Sequence, residues 1–161
     1  MSYELFTRDE SGQYLPASAM RILEIARIVA DDIVTRDMKF NTPACTGQFL
    51  VAKLGSLTHE VFAVLFLDNQ HQLIEYREMF RGTLDSCSVH PREVVKEALL
   101  LNAGALVLSH NHPSGQTSPS NADRAITKRL QEALALIDIR ILDHLVIGGG
   151  RYASFAELGL L

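Results

Sequence analysis

Cysteine is scarce in this chain. Cys45 and Cys87 are the only two, which gives no disulfide framework and no Cys-x-x-Cys pair. No apolar stretch approaches membrane-spanning length. The N-terminus lacks the basic-then-apolar order of a secretory signal, so the expected setting is the cytoplasm, with both thiols reduced. Nothing repeats at a fixed period and no segment is low-complexity. A basic excess is missing too: 15 Lys and Arg stand against 19 Asp and Glu, a net charge of −4. That balance argues against a surface that coats nucleic acid, although a local basic patch can sit inside an acidic total. What is present is ordinary for a globular protein, with 47% apolar and 21% charged residues in 161. This length supports one domain with a sizeable core.

The most informative stretch is 106–123, Leu-Val-Leu-Ser-His-Asn-His-Pro-Ser-Gly-Gln-Thr-Ser-Pro-Ser-Asn-Ala-Asp. An apolar run ends in His110 and His112. In an extended strand positions i and i+2 share a side, so both imidazoles can face one point. Pro113 and Gly115 break the strand. A helix is predicted to start at Ser118 as N-cap with Pro119 in the first position. Ser120 and Asp123 then fall three apart, on one face of its first turn. Two imidazoles and a carboxylate form a three-ligand zinc set that leaves the fourth tetrahedral position open, the catalytic arrangement. Taken singly, each residue has a plainer account: polar residues where a strand meets solvent, a serine cap, an acid at a helix N-terminus. Together, with the tight reversal between them, they favour a metal.

The spacing His110-x-His112, seven residues, Ser120, two residues, Asp123 resembles the JAMM signature of MPN-type metallopeptidase domains. Ser-Val-His-Pro-Arg-Glu at 88–93, Ser-His-Asn-His-Pro-Ser-Gly at 109–115, Pro-Ser-Asn-Ala-Asp at 119–123 and Asp-His-Leu-Val-Ile-Gly at 143–148 are similar to the RadC-like branch. The resemblance covers roughly the last two-thirds of the chain. It implies a mixed α/β fold, an MPN (JAB/JAMM)-type sheet flanked by helices with cytidine-deaminase-like architecture. It divides the chain into an N-terminal extension and helix, 1–40, and a RadC-like MPN domain, 41–161. It implies Zn2+ held by His110, His112 and Asp123, with Ser120 beside the reacting water. It further implies a glutamate from an upstream strand as general base, for which Glu60 is the matching position.

In chain order, residues 1–16 are expected to be loose and 17–36 helical, with Ile22, Ala26, Val29 and Ile33 on one stripe. Thr42-Pro43 predicts the cap and first position of a second helix stopped by Gly55. Val61 to Leu67 reads as a strand buried on both faces. A turn at 68–70 leads to an amphipathic strand over 72–80, and Thr83 to Val89 suggests a further extended piece. A helix from His90-Pro91 should turn Val94, Val95, Ala98 and Leu99 inward. The helix from Pro119 to about Leu136 should bury Ala122, Ile126, Leu130 and Ala133, leaving Arg124, Lys128 and Arg129 on a solvated face. Ile139 to Ile147 is a strand, Gly148-Gly149-Gly150 a hairpin turn, and Tyr152 to Phe155 a short last strand.

Among the other histidines, His90 reads as capping or packing, and His144 as a satisfied structural residue with a supporting role behind a ligand as the lesser alternative. His59 has no partner legible in the sequence. Cys87 reads as an inert buried thiol. A zinc nucleobase deaminase would need His-x-Glu and Cys-x-x-Cys, both missing here. The letters His-Asn-His do not make an HNH nuclease.

The expectation is a zinc-dependent hydrolase of peptide or isopeptide bonds acting on a peptide or protein substrate. Nucleic acid is not favoured as a partner, no membrane is expected, and a homo-oligomer is left open. The alternative, from the family's link to DNA repair, is a non-catalytic accessory of DNA maintenance or a protein-binding module of a mobile genetic element. Two departures matter. The roughly 55 residues before Glu60 are few for the helix-hairpin-helix part of longer RadC-like proteins. Asn111 stands where many MPN peptidases have Ser or Thr.

Overall fold

The computed structural model describes residues 5–8, 11–33, 40, 42–82 and 89–161. Two short strands, β1 (Phe6–Arg8) and β2 (Tyr14–Pro16), pair antiparallel, with Gly12 at positive φ in the turn between them. The expectation of a loose start therefore needs correcting, because the Arg8 guanidinium and the paired backbones close a small hairpin. Helix α1 (Ala19–Ile33) follows, with the Ser18 hydroxyl accepting from the Arg21 N–H. Its stripe is only partly covered: Ile22 and Ala26 are half-buried while Val29 is exposed. The Ile33 side chain and residues 34–36 lie outside the described residues, as do Thr83 to Ser88 and with them Cys87.

Helix α2 (Pro43–Leu54) starts and stops where the sequence predicts. Thr42 caps it by accepting from the Cys45 N–H, and Gly55 ends it. The main sheet comprises β3 (Val61–Leu67), β4 (Leu73–Arg81), β5 (Ala105–Asn111), β6 (Arg140–Gly148) and β7 (Arg151–Ser154), in the order β4-β3-β5-β6-β7. Only β5 and β6 run parallel; the other three pairings are antiparallel. The parallel pair needs a crossover, supplied by α4 (Asn121–Ala135), and α3 (Pro91–Leu100) precedes β5. This is the mixed α/β sheet flanked by helices that the sequence predicts. The Gly148-Gly149-Gly150 turn is the expected hairpin, with φ of 56° and 74° at Gly149 and Gly150.

Every residue of β3 is buried, and its period of two divides them between two cores. Ala63, Leu65 and Leu67 meet Phe49, Leu50 and Leu54 of α2. Phe62, Val64 and Phe66 meet Val94 and Ala98 of α3 and Leu130 and Leu134 of α4. Two helix faces differ from expectation. In α3, Leu99 is 57% exposed, because one step beyond the buried Ala98 is a rotation of about 100° around the helix. In α4 the buried residues are Thr127, Leu130 and Leu134, while Ala122 is exposed and Ile126 and Ala133 are half-buried. The helix is turned so that Asp123 and Thr127, which an apolar-only stripe leaves outside, face the sheet. Its start also moves: Ser120 is the N-cap and Asn121 the first helical residue, because the Ser120 Oγ and not that of Ser118 reaches the third N–H of the helix.

Leu65→Ala should cost about 2–5 kcal/mol of stability, whereas Leu99→Ala should stay within about 0.5 kcal/mol. Urea unfolding of the two variants checks which face of each element is inward.

Candidate metal centre

On β5, Leu106, Leu108 and His110 alternate toward α3 and α4. His112 lies just beyond the strand, its backbone N–H donating to the Ile147 carbonyl at 2.8 Å. From the other side, α4 delivers Asp123 through a reciprocal capping box. The Ser120 Oγ accepts from the Asp123 N–H at 3.1 Å, and the Ser120 N–H donates to Asp123 Oδ2 at 2.7 Å. His110, His112 and Asp123 therefore converge. Their ligand atoms all lie within 4.8 Å of one another, with His110 Nε2 at 3.0 Å from His112 Nε2 and 3.3 Å from Asp123 Oδ1. His112 Nε2 lies 3.8 Å from Asp123 Oδ2. Tetrahedral ligands at zinc bond lengths are separated by about 3.4 Å, in the middle of these distances.

The protons decide what those atoms need. The Thr127 hydroxyl donates its single proton to the Asp123 carbonyl at 2.6 Å. Its oxygen can then only accept from His144 Nδ1–H, also at 2.6 Å. Burial, and then the neighbouring His110, push the His144 imidazole well below its usual range, so the ring is neutral and carries one proton. His144 Nε2 is thus bare and accepts from His110 Nδ1–H at 2.8 Å. On the other ligand, His112 Nδ1–H donates to the Gln116 carbonyl at 2.9 Å. A ring with a single proton carries it on Nδ1 here, so its Nε2 presents a lone pair to the other ring and to the carboxylate. Three such acceptors repel unless a proton or a metal ion comes between them. This donor set fits a divalent metal ion.

Burial alone would raise the Asp123 carboxyl, but the His110 imidazole and the Ser120 hydroxyl and N–H outweigh it, holding the group well below the usual carboxylate range. The His110 share of that effect requires positive charge on the line between the two, a proton or a metal ion. The rings themselves are clamped. Phe62 stacks on His110 with an interplanar angle of 11°, and Phe155 stacks on His144 at a centroid distance of 4.7 Å.

The site opens into a cleft of about 750 Å³ whose lining includes Glu60, Ser120 and Arg129. Glu60 is half-buried immediately before β3, two residues ahead of Phe62, which pairs with His110, and it lines the same cleft as His110, His112 and Asp123. Ser120 uses its Oγ lone pair on the helix, which leaves its hydroxyl proton to donate into the cleft. His90 lines the cleft as well. It makes no capping hydrogen bond and packs edge-on against Phe80 at 5.9 Å, the packing role expected of it. His59 is half-buried, with Nε2 lacking a partner among the described residues.

A model of the RadC-like JAB domain matches residues 40–160. The chain belongs to that family. It is 52% identical over 145 residues to a UPF0758 protein of Marinobacter nauticus, covering 90% of this chain and 65% of that one. It is 53% identical over 139 residues to one of Nitrosococcus oceani, covering 86% and 62%. A UPF0758 protein of Vibrio cholerae is 54% identical over 141 residues, with 88% and 89% covered. The chain thus spans a little under two-thirds of the Marinobacter and Nitrosococcus proteins. No helix among the described residues is long and apolar enough to cross a membrane.

Sequence reasoning gave His144 its supporting role only as the lesser alternative; here both its nitrogens are bonded, one of them to a ligand. It missed Thr127 and Gly148 in this RadC-like domain. Thr127 was findable, being four residues beyond Asp123 on one helix face. Gly148 was read only as part of a turn, yet a Cβ there would stand 2.6 Å from the Gln116 carbonyl oxygen, the acceptor that fixes the His112 tautomer. Arg129, expected on a solvated face, borders the cleft.

Thr127→Val keeps the shape and removes the hydroxyl. It should cost about 1–3 kcal/mol of stability and weaken divalent-metal affinity about 10–100-fold, read by unfolding and by competition with a chromogenic chelator. Gly148→Ala should weaken metal binding with the β6–β7 hairpin retained, because backbone and not a flexible side chain must move.

Proposed function

We propose that this RadC-like JAB domain is a zinc-dependent metallopeptidase that hydrolyses a peptide or isopeptide bond in a peptide or protein substrate. The observation that supports it most is the convergence of His110, His112 and Asp123, their ligand atoms within 4.8 Å of one another, in a cleft that also holds Glu60. Zinc in such a set supplies a Lewis acid that lowers the pKa of water toward ~7 and polarises a carbonyl.

The residues then divide the work. Glu60 takes the proton from the attacking water and hands it to the leaving amine, which must otherwise depart as a poor leaving group. The Ser120 hydroxyl donates to the carbonyl oxygen as it gains charge, a contribution of about 2.7–4 kcal/mol where comparable donors have been removed. Asp123 and the two histidines hold position without moving protons. His110 in particular keeps its Nδ1 proton on His144, which is neutral and has no free acceptor to pass it to. The cytoplasm suits this chemistry, since Cys45 is an exposed thiol. The rival reading, a DNA-maintenance accessory, is disfavoured by a net charge of −4.

Asp123→Ala should lose bound zinc, measured as metal stoichiometry after dialysis. Glu60→Gln should keep the zinc and lose about 10²–10⁴-fold in the cleavage of a peptide library followed by mass spectrometry. Cleavage by Glu60→Gln at the wild-type rate would remove the general base from this reading.

A further inference from the structure

Asn111 lies between the two histidines, and its side chain points to the opposite side of β5 from His110, so it takes no place in the ligand set. It is only 2% exposed. Its Oδ1 accepts from the Val61 N–H at 2.8 Å, across a separation of 50 residues. Its amide Nδ2 donates to the His59 carbonyl at 2.9 Å and to the Leu57 carbonyl at 3.4 Å. The reversed amide would set its NH2 against an N–H and its oxygen against two carbonyls, so this orientation is fixed by chemistry.

These three bonds fall on either side of Glu60. The backbone pairing of β3 with β5 ends at Phe62 and His110. Beyond that point the Asn111 side chain continues it, gripping Val61 on one flank of Glu60 and His59 and Leu57 on the other. The Glu60 carbonyl itself accepts from the Gly82 N–H at 2.8 Å. The peptide units around the carboxylate are therefore tied to the strand that carries the metal ligands, largely by one amide.

We propose that Asn111 is a positioning residue: it locks the 57–61 segment to the ligand strand and so sets the reach of the Glu60 carboxylate toward the metal centre. Its catalytic consequence rests on the general-base reading of Glu60, while the clamp itself rests only on the contacts above. Short side chains at this position cannot span to three backbone atoms. An aspartate keeps the shape and the acceptor for Val61 but turns an oxygen toward two carbonyls, which repels them.

The test uses Asn111→Ala and Asn111→Asp in the zinc-loaded chain, with three measurements. Hydrogen–deuterium exchange should rise at least tenfold over 57–61 and stay unchanged over β6. Zinc stoichiometry should remain that of the wild type. Peptide cleavage should fall about 10²-fold in kcat with KM little changed, the size expected from a misplacement of about 1 Å. In a Glu60→Gln background the same Asn111 variants should cost nothing further, because both changes act on one group. Unchanged exchange over 57–61 in Asn111→Asp overturns the clamp whatever the activity does. Loss of zinc alongside overturns it in favour of support for the ligand strand. Full additivity with Glu60→Gln overturns the catalytic consequence. If Glu60→Gln alone is as active as wild type, the base assignment fails, and the exchange measurement still decides the clamp.

Discussion

Two lone pairs are held face to face, and the site in this fold is arranged around that fact. His110 Nε2 and His112 Nε2 stand 3.0 Å apart with a carboxylate beside them. In an ordinary interior one of three such atoms would carry a proton and the contact would be a hydrogen bond. Here the Nδ1 protons are committed away from the contact, that of His110 to His144 and that of His112 to the Gln116 carbonyl. The commitment is enforced from behind, since Thr127 has a single proton and spends it on the helix backbone. A metal ion or a second proton on one ring relieves the repulsion, and the tautomers leave both Nε2 atoms open toward such an ion.

The sheet makes this convergence possible. A parallel β5–β6 pair with α4 as its crossover lays the first turns of α4 over the ends of both strands. Asp123 and Thr127, one turn apart, then reach His110 on β5 and His144 on β6 respectively. The antiparallel β3 brings Phe62 beside His110, and Glu60 immediately before β3 lines the same cleft. Four elements far apart in sequence meet at one end of the sheet, and the β5–α4 connection, with Gly115 packed on Gly149, lines the cleft there through Ser114, Gln116 and Ser118.

Legibility in the sequence followed the range of the interaction. The strand reaching His110, the cap at Thr42, the buried run of β3 and the triple-glycine hairpin are all set by residues within a few positions of one another, and each was readable. The convergence of His110, His112 and Asp123 was readable for the same reason: a period of two joins the histidines, and a helix start holds Ser120 and Asp123. The helix boundary was misplaced because Ser118-Pro119 and Ser120 both look like starts, and only the reach of a hydroxyl to the third N–H separates them. The inward face of α4 was missed because polarity was taken as a sign of exposure, whereas Thr127 is buried by a partner 17 residues away. The clamp at Asn111 spans 50 residues, and nothing local signals it. Gly148 looked like part of a turn because its neighbours supply the positive φ; its own lack of a Cβ serves a different loop.

Most of the polar interior of this site is paired, His59 Nε2 and the Ser109 hydroxyl being without a partner among the described residues. Asp143 is buried and accepts from the His144 N–H, the Ala156 N–H and the Ser154 hydroxyl, and so ties β6 to the end of β7. His144, Thr127 and Asn111 are each nearly inaccessible, and their hydrogen-bonding atoms are occupied. Buried networks of this kind stabilise only when every member is satisfied, and these carry that satisfaction outward until it stops at His110 Nε2, His112 Nε2 and Asp123. Two apolar cores lie on either face of the sheet, one filled by α2 and the other by α3 and α4, and the second reaches the site through Phe62, which stacks on His110. The ion would thus complete a site whose scaffold is already determined, unlike a structural zinc around which a small chain must fold. His110, His112 and Asp123 would hold such an ion through three ligands, few enough to leave a position for solvent, and Glu60 and Ser120 line the same cleft.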